Sequence, residues 1–280
     1  LHFLICTDGT PASDAATGFG TQLAIALQAG VTVVEAPAGR PWERLTSQAS
    51  QAVRQSLAEA GLACDIVVRT ETPRRAIAAQ SHAMAYDIVI VGLLERGNRL
   101  RRWLRGPSTR RVLQDVAAPV LVVGADRSMI RRILLCSSDL WYPEENIRIV
   151  GEIAAATRAE VTLLYVVPTP TMDYPVPNRT DEEWGALLTT DTPQSRNLKA
   201  GRQALVDRGI PTTLSLRHGQ VIDQIMDEIH TGEYDLVALG STYAAQSLHR
   251  YFVSSIMDRV VEHAHRPVLV VRHHHTAEDA

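Results

Sequence analysis

Tyr86-Asp-Ile-Val-Ile-Val-Gly92 returns as Tyr234-Asp-Leu-Val-Ala-Leu-Gly240, 148 residues later. Pro119-Val-Leu-Val-Val123 returns as Pro267-Val-Leu-Val-Val271 at the same spacing. Two earlier stretches repeat at a spacing of 130. Phe3-Leu-Ile-Cys-Thr-Asp8 matches Ile133-Leu-Leu-Cys-Ser-Ser138, and Val31-Thr-Val-Val-Glu-Ala36 matches Val161-Thr-Leu-Leu-Tyr-Val166. Four matches in one order, at two constant offsets, make the chain an internal duplication. The change of offset from 130 to 148 gives the second copy 18 extra residues between its second and fourth strands.

Each quoted stretch is a short run of β-branched and aliphatic residues. Such runs read as strands buried on both faces, as in a parallel sheet. The intervals carry helical patterns. Ser13 is the expected cap of a helix with Ala16, Phe19, Leu23 and Leu27 on one face, and Ile147, Val150 and Ala154 form the equivalent face later. Each copy reads β-α-β-α-β-α-β-α-β. The fold class is therefore α/β, with two homologous doubly wound five-stranded parallel-sheet domains, 1–126 and 127–280. The extra material is Val167–Ser195, with Pro168, Pro170, Pro175, Pro177 and Pro193. It is expected to be a surface excursion, because so much proline suits neither a helix nor a central strand.

The 280 residues are 45% hydrophobic and 21% charged, enough apolar material for two cores. A net charge of −3 argues against a dedicated nucleic-acid or membrane-surface binder. Apolar runs such as Val161–Val167 fall far short of the roughly 18 residues of a membrane span. Leu1–Cys6 runs straight into Asp8-Gly9, so it reads as a first strand and not a signal peptide. A cytoplasmic protein is the expectation. Cys6, Cys64 and Cys136 form no C-x-x-C pair, which excludes a disulfide scaffold and a zinc knuckle. Cys6 and Cys136 occupy equivalent positions and are expected to be buried thiols. His273–His275 read as a solvated tail, and no metal site is expected. There is no Walker A motif, no G-x-S-x-G elbow and no nucleophile with an identified base, so no catalytic residue is assigned.

Doubly wound sheets bind ligands beyond the carboxyl ends of their strands. After the first strand stand Asp8, Gly9 and Thr10. After the fourth come Gly92-Leu-Leu-Glu-Arg-Gly97, then Arg99-Leu-Arg-Arg102-Trp-Leu-Arg105, then Gly106-Pro-Ser108-Thr109 opening a helix. Glycine lets backbone approach a ligand closely, a helix N-terminus attracts phosphate, and arginines can clamp it. These nine positions, Asp8, Gly9, Thr10, Gly92, Gly97, Arg102, Gly106, Ser108 and Thr109, form the candidate ligand set.

With these residues in place, the whole chain resembles a tandem universal stress protein, down to the tails Arg111-Val-Leu-Gln-Asp-Val-Ala-Ala-Pro119 and Arg259-Val-Val-Glu-His-Ala-His-Arg-Pro267. The resemblance implies an adenine nucleotide alpha hydrolase-like fold. It also implies, for members that bind ATP, an Asp after the first strand for adenine. A Gly-x-x-Gly, nine residues and a Gly-Ser/Thr follow for ribose and phosphates. Asp8, Gly92 and Gly106 match, but Glu95 replaces the second Gly, Pro107 replaces the Ser/Thr and the loop is one residue longer. In the second copy Ser138 replaces the Asp, Asp139 is displaced by one, Tyr243 replaces the second Gly, and Ser254-Ser255 replaces Gly-Ser. Any ATP or other adenine nucleotide is therefore expected in the first copy.

The resemblance further implies a stress-response regulator without classical catalysis. The alternatives are a weak ATPase using the first copy, or a partner-binding module with both sites vestigial. Finally, it implies antiparallel pairing of the two last strands, Val120–Val123 with Val268–Val271, into an intramolecular pseudo-dimer. A further homodimer and the identity of any protein partner are left open.

Overall fold

The protein's structure, a computed structural model, describes residues 1–36, 47–92, 112–113, 115–124, 129–137, 144–168, 191–243 and 249–274. In chain order the elements are β1 (His2–Thr7), α1 (Pro11–Leu27), β2 (Gly30–Glu35), α2 (Gln48–Glu59), β3 (Cys64–Val68), α3 (Pro73–Ala83), β4 (Ile88–Gly92) and β5 (Val120–Val123). They continue as β6 (Arg132–Ser137), α4 (Glu144–Thr157), β7 (Glu160–Pro168), α5 (Pro193–Val206), β8 (Thr212–Gly219), α6 (Val221–Thr231), β9 (Leu236–Tyr243), α7 (His249–His263) and β10 (Val268–His274). Strand and helix alternate as the sequence predicts. Val112, Leu113 and Asp115, before β5, are also helical.

The chain forms two compact units, Leu1–Met129 with His265–Arg272, and Ile130–Ala264 with His273–Ala280. In the first, β3-β2-β1-β4-β5 lie side by side and parallel. The last strand of the chain joins this unit. Val268, Leu269 and Val270 of β10 pair antiparallel with Val122, Leu121 and Val120 of β5. The pairing expected between the two last strands is thus present, and it gives β5 a partner where it would otherwise be a bare edge. In the second unit the order is β9-β6-β7-β8, again parallel.

Register shows how closely the copies agree. Phe3 faces Val31 and Ile88 in the first unit, and Ile133 faces Val161 and Leu236 in the second. These are the repeat-equivalent residues at offsets of 130 and 148. The central strands carry the core. Phe3, Leu4, Ile5, Ile90 and Leu121 are fully buried in one unit, and Ile133, Leu134, Leu135, Leu163 and Leu164 in the other. At roughly 1.5–3 kcal/mol per fully buried large aliphatic side chain, these runs dominate the favourable side of folding.

Helix starts differ from expectation in two places. Thr10, not Ser13, is the N-cap of α1, because Pro11 takes the first helical position. Ser13 is the third helical residue, and its side chain answers the cap in a capping box. The proline-rich segment is also shorter than 167–195. Val167 and Pro168 complete β7, and Thr192 caps α5 with Pro193 at its first turn. Pro168 is tolerated because it sits at the strand's end, where it faces Gly219. Residues 169–190 lie outside the described residues.

Candidate functional site

Of the nine candidate residues, Asp8, Gly9, Thr10 and Gly92 are described, and all four sit at the carboxyl ends of β1 and β4. Gly97, Arg102, Gly106, Ser108 and Thr109 lie outside the described residues, as do Glu95 and Pro107. The turn after β1 is tightly hydrogen-bonded. Asp8 Oδ1 accepts from the Thr10 backbone N–H at 3.1 Å and from the Thr10 hydroxyl at 2.7 Å. The Gly9 N–H donates to Thr7 Oγ1 at 3.3 Å, and the Ser13 N–H donates to Thr10 Oγ1 at 3.3 Å. Gly9 itself has φ +77°, a left-handed conformation that only glycine adopts without strain.

Gly92 is required for packing. A Cβ built on it would run into the backbone of Ala12 and lie 2.8 Å from the Ser13 nitrogen. The first turn of α1 therefore closes directly onto the end of β4. The sequence reading assigned this glycine to ligand approach, and its lack of a side chain also admits the first turn of α1. The second unit repeats the arrangement with a different occupant. A Cβ on Gly240 would strike the carboxamide of Asn146 on α4, a 3% exposed residue whose Oδ1 has no hydrogen-bond partner.

Cys6, Thr7, Asp8, Val34, Ile77 and Gly92 are among the residues lining a cleft where these elements meet. Its interior is about 20 Å³, room for a single water. Asp8 brings the only carboxylate among the described lining residues. Its Oδ1 is committed to Thr10, and among the described residues no hydrogen bond involves Oδ2. Cys6 contributes sulfur but not a nucleophile. Burial, with the Asp8 charge adding to it, pushes its thiol far above the usual range. Cys136 is shifted in the same way by burial and then by Glu228. Both cysteines are buried and free, as expected.

In the second unit Ser138 and Asp139 lie outside the described residues. Tyr243 closes β9, and Ser254 and Ser255 lie within α7. No group of three or more metal-ligating side chains occurs among the described residues. No described helix is long and apolar enough to cross a membrane.

A second polar constellation, which sequence reasoning missed, occurs in both units. Glu228 on α6 is 8% exposed. Its Oε1 accepts from the Tyr234 hydroxyl at 2.6 Å, and its Oε2 accepts from Arg217 Nε at 2.5 Å and Ser215 Oγ at 3.3 Å. Burial alone would raise this carboxyl. The hydrogen bonds from Tyr234, Arg217 and Ser215, with the Arg217 charge, outweigh it and hold the group below its ordinary value. Tyr234 is pushed up to about 12, chiefly by burial and then by its bond to Glu228. In the first unit the equivalent residues are Arg69, Gln80 and Tyr86. Arg69 Nη2 donates to Gln80 Oε1 at 2.8 Å, and Gln80 Nε2 donates to the Tyr86 hydroxyl oxygen at 2.8 Å. The 148-residue offset carries all three pairs, so the signal was available in the sequence.

Comparison with known proteins agrees with this architecture. The family model described as the universal stress protein family matches twice, over residues 1–124 and 129–272. The chain belongs to the universal stress protein family. Among solved structures, a universal stress protein from Archaeoglobus fulgidus DSM 4304 is 15% identical, with a TM-score of 0.68 over 97% of this chain and 98% of that one. A putative universal stress protein from Pseudomonas aeruginosa UCBPP-PA14 is 16% identical, with a TM-score of 0.67 over 97% and 92%. At these identities the likeness establishes the shared fold across both universal stress protein repeats. No curated protein matches the chain.

Proposed function

We propose that this universal stress protein is a stress-response regulator without catalytic machinery, and that its first repeat takes ATP or another adenine nucleotide at the carboxyl ends of β1 and β4. One observation carries the reading. Asp8 lines the cleft, and among the described residues no hydrogen bond engages its Oδ2, an acceptor suited to an adenine amino group. Gly9, Thr10 and Gly92 stand beside it, and Gly97, Arg102, Gly106, Ser108 and Thr109 are proposed to serve ribose and phosphates. The repeats are taken to divide near residue 126, and the cytoplasm is the proposed location. The β5–β10 pairing is taken as the centre of an intramolecular pseudo-dimer.

The small cleft and the filled space beside Gly92 favour a second reading, in which both nucleotide sites are vestigial and the chain binds a protein partner, with the proline-rich segment as contact surface. Calorimetric titration of ATP separates the two. Saturable binding that Asp8→Ala weakens at least tenfold supports the first. Absence of binding, together with no nucleotide released on denaturing the gently purified protein, supports the second. Binding undiminished by Asp8→Ala overturns the residue assignment.

A further inference from the structure

In the first unit β3 is the outermost strand, and no described strand pairs with its outer side. Its bonds to β2 fix which residues face outward. Ala63 O accepts from the Val31 N–H, and the Arg69 N–H donates to Glu35 O. Odd-numbered residues therefore direct their N–H and C=O to β2, and Cys64, Ile66 and Val68 direct theirs away from the sheet. Side chains alternate as well. Asp65, Val67 and Arg69 share the face on which Arg69 meets Gln80 of α3, and Cys64, Ile66 and Val68 share the other.

This edge carries unmatched charge and apolar surface. Asp65 is exposed and forms no ion pair among the described residues. Arg69 gives Nη2 to the neutral Gln80 and also meets no acid among the described residues. Val68 is 50% exposed. A charge on an edge strand normally repels a second edge. Here two charges of opposite sign stand symmetrically about Val67, so the edge matches its own inverse. An antiparallel second copy centred on Val67 sets Asp65 opposite Arg69 of the other copy, twice. The same register makes Ile66 and Val68 of the other copy a hydrogen-bonded pair, again twice, which engages their outward N–H and C=O groups and covers Val68. We infer that β3 is an interaction surface for a second copy of this chain, joined antiparallel about a two-fold axis at Val67. The far edge of the second unit lacks the pattern. On β8 Thr213 stands at the position equivalent to Asp65, and Arg217 is already paired with Glu228. The β3 edge is independent of the proposed nucleotide cleft.

The edge has five residues, so the dimer is weak and concentration-dependent, below the ~1,000 Å² of a stable interface. Sedimentation velocity of the full chain, from about 5 to 200 μM, should show a monomer passing into a dimer. Asp65→Arg places like charges opposite each other and should weaken the dimer about tenfold or more. Arg69→Asp should do the same. An equimolar mixture of these two variants restores both ion pairs and should form a heterodimer of wild-type affinity. Val68→Pro removes an outward N–H and no bond to β2, so it should abolish dimerisation while leaving the urea transition of the dilute monomer in place. A wild type that stays monomeric over the whole range overturns the inference. So does a dimer that both Asp65→Arg and Val68→Pro leave unchanged, since β8 or another surface would then hold it. If Arg69→Asp fails to fold, Asp65→Arg and Val68→Pro decide the matter alone.

Discussion

At the scale of single residues, Gly92 and Gly9 make opposite demands on glycine. Gly9 needs backbone freedom, with φ +77° and nothing within 4 Å of an added Cβ. Gly92 needs room, because the backbone of Ala12 and Ser13 fills the place of a side chain. Gly9→Ala should therefore cost about 1 kcal/mol, the ordinary penalty of a left-handed alanine. Gly92→Ala should cost more, about 1–3 kcal/mol, since α1 must shift off β4. Urea denaturation of the two variants orders them. Equal losses would mean that α1 yields freely and that the contact is loose. The neighbourhood of Asp8 and Gly92 was legible in the sequence, because both follow strands whose carboxyl ends must coincide. The cap of α1 was misread because Pro11 moves the helix start back to Thr10, a shift that the apolar face of the helix does not register.

At the scale of elements, α6 is tied to β8 and to the start of β9 through Glu228. Its carboxyl sits below its ordinary value in the folded protein, so the stabilisation is present above the unfolded pKa, 4.5, and is lost as pH falls through the lowered folded value. Glu228→Gln copies Gln80 of the first repeat. The variant should lose about 1–3 kcal/mol at neutral pH, because Arg217 and Tyr234 lose a charged partner. That gap should narrow steadily below pH 4.5. On the alkaline side Tyr234 acts in the opposite sense. Its raised pKa, about 12, means that stability present below the ordinary value of 10.0 is lost as pH rises through about 12. Chemical denaturation of wild type and variant from pH 3 to 8 checks the acid arm, and a gap independent of pH would remove Glu228 from the account. This constellation was hard to read beforehand. Arg217, Glu228 and Tyr234 lie on a strand, a helix and the approach to a strand, and no motif joins them. Only the offset between repeats marks them, once their equivalents in the first repeat are compared.

At the scale of the whole molecule, the repeat predicted the strands, their parallel pairing within each copy and which residues of the two copies are equivalent. The order of the strands in each sheet and their register came from the structure. The pairing of β10 with β5 was implied by the family resemblance and not by the residues of the two strands themselves. Long-range pairing leaves no local mark, because β5 and β10 have the same composition whether paired or bare. Val120–Val123 and Val268–Val271 are each at most 2% exposed, so removing one strands the other. A chain ending before Val268 should expose the β5 edge and associate with itself. Sedimentation velocity should find species larger than a monomer, and unfolding should begin at a lower temperature than in the full chain. A truncated chain that stays monomeric with an unchanged transition would assign β10 no part in finishing the first unit.

The β5–β10 pair also has a consequence in time. Leu121 is translated long before its partner Leu269, with roughly 150 residues between them. At ~5–20 residues per second this is an interval of about 7–30 s, in which the nascent first half carries an open row of backbone amides and carbonyls next to every other copy on the same message. The chain protects that row only by being completed. A ribosome stalled anywhere in the second half therefore produces a sticky fragment, whatever the stability of the finished protein.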